Sequence, residues 1–343
     1  MLHHYQAPPW LRSAHAQTLW PLLSMPALPD YRRERWDTPD GDFVDLDWIA
    51  GPAAAPLLIL FHGLEGSSRS HYSRSLMHAA GQRGWRGVVV HFRGCSGEPN
   101  RLARAYHSGD SAEIDWILRA LVSRGPLFPV GISLGGNALL KWLGEQGAAA
   151  SSVVTAAAAI SAPLDLAAAD AALSRGFKRI YVRHFLHSLI PKALAKLGRY
   201  PGLYAASAVR AARSLRDFDD VVTAPLHGFR GAADYYAKSS AGQYLGGIKV
   251  ATLMVNALND PLLPAAVLPD PRLLSGALAL ETPRAGGHVG FVSGPFPGNL
   301  DWLPRRLLEF FEQEIERCDN HACPNPISRG SNGYPRAGNL QSL

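Results

Sequence analysis

Cysteine is nearly missing from this sequence. Only Cys95, Cys318 and Cys323 occur among 343 residues. An odd count, with two of the three in a polar C-terminal stretch, excludes a disulfide framework and favours a reducing compartment, so the expected location is cytoplasmic. Cys318, His321 and Cys323 lie close together but lack a fourth ligand, and no structural zinc is expected. No apolar run reaches the length of about 18 residues that a spanning helix needs, so no membrane span is expected. Residues 1–10 show no basic segment followed by an apolar core, so no secretory signal peptide is expected. Runs of five or more Lys/Arg are absent, and the net charge of +6 is read as spread along the chain. Without a nucleic-acid-binding motif, that charge does not make nucleic acid an expected partner. A modest attraction to anionic substrates or membrane surfaces is expected instead.

What is present is a globular composition, 47% hydrophobic and 18% charged, able to bury a large core. Apolar runs at Pro56–Phe61, Gly87–Phe92, Leu127–Val130, Val153–Ile160 and Val250–Val255 read as strands buried on both faces. Helical patterns at His71–Arg83, Ala112–Ser123 (capped by Asp110) and Asn137–Leu143 alternate with them. Arg32–Asp37 and Phe43–Ile49, joined by the turn signal Pro39-Asp40-Gly41-Asp42, read as a hairpin. The fold class is therefore α/β, a mostly parallel central sheet flanked by helices. Four parts are expected: an irregular N-terminal arm (1–30) with a short helix near His15–Trp20; a core (31–164 and 241–316); a helical insertion (165–240) read as a lid, divided by Pro191 and by Pro201-Gly202; and a tail (317–343) whose Gly, Pro, Asn and Ser content predicts disorder. Gly276–Leu280 is the last strand and Trp302–Ile315 the closing helix.

The organising stretch is Gly131-Ile132-Ser133-Leu134-Gly135. It reads Gly-x-Ser-x-Gly between a strand and a helix, the context of a nucleophile elbow: a strained turn that pushes the serine hydroxyl out above the sheet. A serine hydroxyl needs a base, and the base needs a carboxylate to fix its tautomer. On this architecture the chain order is Ser, acid, His. Ser133, Asp260 and His288 follow that order, each just beyond an expected strand. His62 also ends a strand but precedes the elbow and is read as fixing the neighbouring loop; His91 is read as a packed core histidine. His71, His78, His107 and His227 have no strand-end position, and Asp219 and Asp220 are read as helix caps or lid contacts. The tetrahedral intermediate of acyl transfer needs waiting N–H donors, expected from the backbone of Leu64 and Leu134. No cofactor and no metal are expected: Gly94-Cys95-Ser96-Gly97 matches no nucleotide-binding loop, and Cys95 has no dedicated base.

Several of these pieces together resemble the α/β-hydrolase superfamily, specifically its YheT-like group (AB hydrolase 4 family). They are His15-x-Gln17-Thr18, Pro39-Asp-Gly-Asp42, His62-Gly-Leu-Glu-Gly-Ser67, His91-Phe-Arg-Gly-Cys-Ser-Gly-Glu-Pro-Asn100, Tyr106-His-Ser-Gly109, Gly131 to Asn137, Phe218-Asp-Asp220, Asp234-Tyr-Tyr236 and Gly286-Gly-His-Val-Gly-Phe291. They span roughly residues 8–315. The resemblance implies a serine–aspartate–histidine relay at Ser133, Asp260 and His288, agreeing with strand order. It also implies a soluble, bacterial-type member without the N-terminal anchor of eukaryotic relatives, which act on lipid or medium-chain esters. The expected activity is carboxylic-ester hydrolysis of short- to medium-chain acyl esters through an acyl-enzyme, with a small-molecule ester, lipid-derived ones included, as partner. Lipase, phospholipase, amidase or acyltransferase chemistry on the same triad is the alternative, and a non-catalytic binding protein the reading from another class.

Overall fold

The structure, a computed structural model, describes residues 4–321. The Asp-Gly turn closes a hairpin between β1 (Arg32–Asp37) and β2 (Phe43–Ile49). Six further strands complete the sheet: β3 (Leu57–Phe61), β4 (Arg86–His91), β5 (Leu127–Ile132), β6 (Ala157–Ile160), β7 (Thr252–Val255) and β8 (Leu278–Glu281). Their order is β1-β2-β4-β3-β5-β6-β7-β8; β1 and β2 run antiparallel, and β3 to β8 run parallel. Strand β6 begins four residues later than the pattern predicts. The Val153 and Val154 amides both turn back to the Ala150 carbonyl, so the chain is still winding helically there.

Both sheet faces are covered, so the strands read as unbroken apolar runs. Along β3, Leu57, Ile59 and Phe61 point into the core beneath α3 (Ser111–Leu121) and α4 (Leu134–Gln146). Leu58 and Leu60 point the other way, towards α2 (His71–Gln82) and the closing helix at residues 302–321. Asp110 caps α3 by accepting the Glu113 amide. The arm contributes α1 (Ala14–Leu19), close to the expected place.

Between β6 and β7 the alternation stops and helices follow one another: α5 (Leu166–Leu173), α6 (Arg179–Arg199), α7 (Ala206–Ala211), α8 (Leu215–Phe218), α9 (Ala224–Leu226) and α10 (Ala232–Ser239). A π-helical turn, Asp219–Thr223, joins α8 to α9. Pro191 does not divide this region as expected; it lies inside a continuous α6. Proline removes one amide and frees the His187 carbonyl, but both residues are on the exposed side, where water satisfies it. The inserted helices have their own core around Tyr181, Leu186, Val209 and Phe218, which includes Leu262 and Leu263 from the loop after β7.

The closing helix α11 (Trp302–His321) is longer than expected. The first residues assigned to a disordered tail, 317–321, are helical, and Arg317 pairs with Glu314 one turn back at 3.0 Å. The rest of that expected tail lies outside the described residues.

Candidate active site

Ser133 stands between β5 and α4 with φ +50° and ψ −114°, a conformation that a side-chain-bearing residue adopts only under constraint. Its amide is tied to the Ile160 carbonyl of β6 at 2.8 Å. The flanking glycines are required by close approach: a Cβ on Gly135 would run into the Phe61 and His62 carbonyls, and one on Gly131 into the Gly135–Gly136 backbone. The turn therefore lifts the serine above the C-terminal edge of the sheet.

The ends of β7 and β8 bring two more groups to that edge. His288 Nε2 lies 3.0 Å from Ser133 Oγ, and its Nδ1 lies 2.8 Å from Asp260 Oδ2. Asp260 is buried, and its other oxygen accepts the Leu262 and Leu263 amides at 2.8 and 3.2 Å. With both carboxylate oxygens engaged, the Nδ1 proton is held on the aspartate side and Nε2 faces the serine as an acceptor. Of the three side chains selected by strand order, the histidine is thus within hydrogen-bonding reach of both the serine and the aspartate.

What positions His288 was not read from the sequence. Gly287 (φ +62°) and Gly286 carry the histidine loop against α1. The Thr18 hydroxyl accepts the His288 amide at 3.0 Å, and the wholly buried Gln17 accepts the Gly286 amide at 2.8 Å. Asn259, next to Asp260, donates to that same Gln17 oxygen (2.9 Å) and accepts the Gly287 amide (3.0 Å). Beyond the histidine, Ser161 Oγ accepts the Val289 amide and His71 Nε2 contacts the Val289 carbonyl at 3.1 Å. Burial lowers the His71 pKa to about 4, so His71 is neutral and Nε2–H is the donor. The one sequence signal for α1 was the His15-x-Gln17-Thr18 motif; His71 left none.

The Leu64 amide belongs to a segment packed against Ser133, and the Leu134 amide follows the serine in the chain. Gly63 packs against Ser133: a Cβ there would lie 3.3 Å from the serine Cβ. The amides on either side of Leu64 are already engaged, Gly63 with Tyr72 Oη (3.1 Å) and Glu65 with Tyr106 Oη (2.9 Å). Neither the Leu64 nor the Leu134 N–H has a protein acceptor among the described residues. Glu65 adopts φ +56°; its carboxylate accepts Tyr106 Oη at 2.9 Å and Lys192 of α6 at 2.8 Å. His62 fixes the same loop. Burial drives its pKa down to about 3, and the neutral ring donates from Nδ1 to the Gly63 carbonyl (2.7 Å) and accepts the Phe92 amide at Nε2 (3.1 Å).

Ser133 and His288 open on a cavity of about 650 Å³ lined mainly by apolar side chains of the inserted helices, among them Leu173, Phe185, Phe218 and Val222. That is ample for a small organic ligand. Cys95 lines it too, but burial pushes its thiol up to about 12, so it is no nucleophile. His91 is buried against Asp47 at 2.9 Å rather than packed among apolar groups alone. Asp220 accepts the Ala232 amide at the start of α10, and Asp219 is held by Thr223 and Tyr236. No group of three or more metal-ligating side chains occurs among the described residues.

A strained serine between strand and helix with a histidine on its hydroxyl is an arrangement suited to hydrolytic chemistry. The chain belongs to the alpha/beta hydrolase fold family, which residues 56–295 match. It is 40% identical over 320 residues to YheT of Escherichia coli (strain K12), whose name gives esterase as a provisional activity; the match covers 89% of this chain and 92% of that one. It is 27% identical over 321 residues to mouse phospholipase ABHD3, covering 90% of this chain and 78% of that protein. A Pyrococcus furiosus esterase structure superposes with a TM-score of 0.54 at 16% identity, over 83% of this chain and 91% of that one, a likeness of fold.

Proposed function

We propose that the protein is a serine esterase that cleaves short- to medium-chain carboxylic esters through an acyl-enzyme. One observation carries the reading: the hydrogen-bonded line Ser133–His288–Asp260 at the floor of an apolar cavity. Ser133 Oγ attacks the ester carbonyl as its proton passes to His288 Nε2. Asp260 holds the opposite ring nitrogen and stabilises the imidazolium. The negative oxygen of the tetrahedral intermediate is taken by the Leu64 and Leu134 N–H groups, which need no reorganisation to receive it. His288 then returns the proton to the departing alcohol, and water, deprotonated by the same histidine, releases the acid. The inserted helices act as a lid, with their apolar side chains around the acyl chain.

The relative named a phospholipase favours a second reading, cleavage of a larger acyl lipid by the same groups. Hydrolysis of p-nitrophenyl esters from acetate to palmitate separates the two. An optimum at short or medium chain length, absent from Ser133→Ala, supports the esterase. Rates that climb only above the aggregation point of long-chain esters support the lipid enzyme. Ester cleavage unchanged in Ser133→Ala, with no fluorophosphonate labelling of the wild type, sinks both.

A further inference from the structure

The basic excess is not evenly spread, contrary to the sequence expectation. Residues 171–216 hold ten Lys/Arg and no Asp or Glu, which leaves −4 for the remainder of a chain whose net charge is +6. Residues 1–29 also lack any acid. Of the ten cations only Lys192 has a carboxylate within 4 Å among the described residues. At 100° per residue, Arg179, Ile180, Arg183, His184 and His187 fall on one arc of α6, and all are exposed; Tyr181, Val182 and Ala193 occupy the buried arc. Arg179, Arg183 and His187 border a groove of about 400 Å³ that Arg213 also lines.

Exposed apolar side chains gather in the same neighbourhood. Of the nine large apolar residues exposed among those described, eight belong to the arm between Leu19 and Leu28, the start of α6 and the loop at Phe296. Leu23 is 80% exposed and Phe296 71%. These segments touch: His15 packs edge-on against Phe177 with ring centres 4.9 Å apart, and its Nδ1 lies 2.9 Å from Tyr181 Oη. Trp10 packs on Phe296 at 5.4 Å, and the Trp20 indole donates to the Pro297 carbonyl at 2.8 Å. Apolar tips, indole rings and unpaired cations without acids are the composition of a surface that enters a lipid interface.

We propose that this face docks on a membrane leaflet containing anionic phospholipid. Leu22, Leu23, Phe177 and Phe296 enter the boundary between headgroups and acyl chains, and the groove of Arg179, Arg183 and Arg213 takes lipid phosphates. Charge complementarity selects this occupant over a second copy of the chain, whose same face would be equally cationic. The proposal does not depend on what Ser133 cleaves.

The test is co-sedimentation of the purified full chain with vesicles of phosphatidylcholine alone, and with a third of it replaced by phosphatidylglycerol. Partition into the anionic vesicles should be about tenfold greater and should fall as salt is raised. Leu23→Asp, and separately Arg179→Glu with Arg183→Glu, should each lower it about tenfold without moving the thermal midpoint. Ser133→Ala should bind as wild type, which separates this surface from the chemistry. Equal partition into both vesicles, no sedimentation at low salt, or full binding by Leu23→Asp would overturn the proposal. So would duplex DNA binding as tight as vesicle binding, or a dimer that Leu23→Asp dissolves.

Discussion

Two charged regions border the cavity, and they are built in opposite ways. The loop from Arg93 to Arg104 is tied down by paired charges, with Arg93 and Asn100 buried and Arg104 half-buried. Arg93 holds Asp40 (2.9 Å), Asp42 (3.2 Å) and Glu113 (2.5 Å), and Arg104 holds Asp110 at 2.6 Å. Asp42 also accepts the Phe43 and Arg101 amides and the Asn100 side chain. On the other side, α6 carries Arg179 and Arg183 exposed and without a carboxylate partner among the described residues, while Lys192 pairs with Glu65 and Lys196 is half-buried. Lys196 reaches into the loop, donating to Asn100 Oδ1 (2.6 Å) and the Leu102 carbonyl (2.8 Å), and burial brings its pKa down to about 8. Buried, paired charges fix one geometry, because each unpaired alternative leaves an ion without water. Exposed, unpaired charges fix nothing and are free to meet a partner. The first region shapes the site and the second faces outward.

The comparison is sharpest where chemistry and stability come apart. Ser133→Ala should lower ester turnover on the order of 10⁴-fold or more and leave the melting temperature within the range of surface substitutions. Turnover within tenfold of wild type, measured on the best p-nitrophenyl ester, would remove the serine from the mechanism. Arg93→Met strips three carboxylates of their shared cation and should cost about 3–5 kcal/mol of unfolding free energy. Arg183→Ala, on the exposed arc, should stay within about 0.5 kcal/mol. Urea titration of the two variants side by side would break the contrast if their losses matched.

Local pattern accounts for how much of this was readable from sequence. The buried strands announce themselves as apolar runs, the elbow as a glycine-flanked serine, and Asp260 and His288 as polar residues just past strand ends. Gln17 and Thr18 could not be assigned that way, since their partners lie 269 and 270 residues further along. Tyr72 and Tyr106 act through hydroxyls that engage the amides flanking Leu64, and nothing in their own neighbourhoods marks that role. Pro191 misled because a helix breaker was judged without knowing which side faced water. The acid-free stretch from 171 to 216 was legible as plain composition; only its exposed arc on α6 gave it meaning.

The arm should matter to rate more than to binding. Thr18→Val keeps the shape but removes the acceptor from the His288 amide, and should lower kcat about tenfold, or about 1.4 kcal/mol, with KM nearly unchanged. Thr18→Ser should restore it. Equal losses in Thr18→Val and Thr18→Ser would mean that packing, not the hydroxyl, is what the histidine loop uses.

The last effect lies at Asp219, a half-buried acid on the cavity wall. Burial raises its pKa to about 7 despite hydrogen bonds from Thr223 and Tyr236. The folded state therefore keeps this proton after the unfolded chain has lost it near pH 4. Between about pH 4 and 7 the unfolded state binds fewer protons, so this group weakens the fold as pH rises and adds a constant deficit above pH 7. Four buried or half-buried histidines work in the opposite direction. His62, His71, His107 and His227 are pushed down to about 3–4 by burial, so they favour the fold above pH 6.5 and withdraw that support as acid protonates the unfolded chain. Asp219→Asn removes only the first effect. Against wild type it should gain stability as pH rises from about 5 to 7 and hold that gain to about pH 8, read as a melting-temperature difference that grows and then levels. A difference that stays flat or shrinks with rising pH would mean that Asp219 is ionised in the fold and that its two hydroxyl donors outweigh its burial.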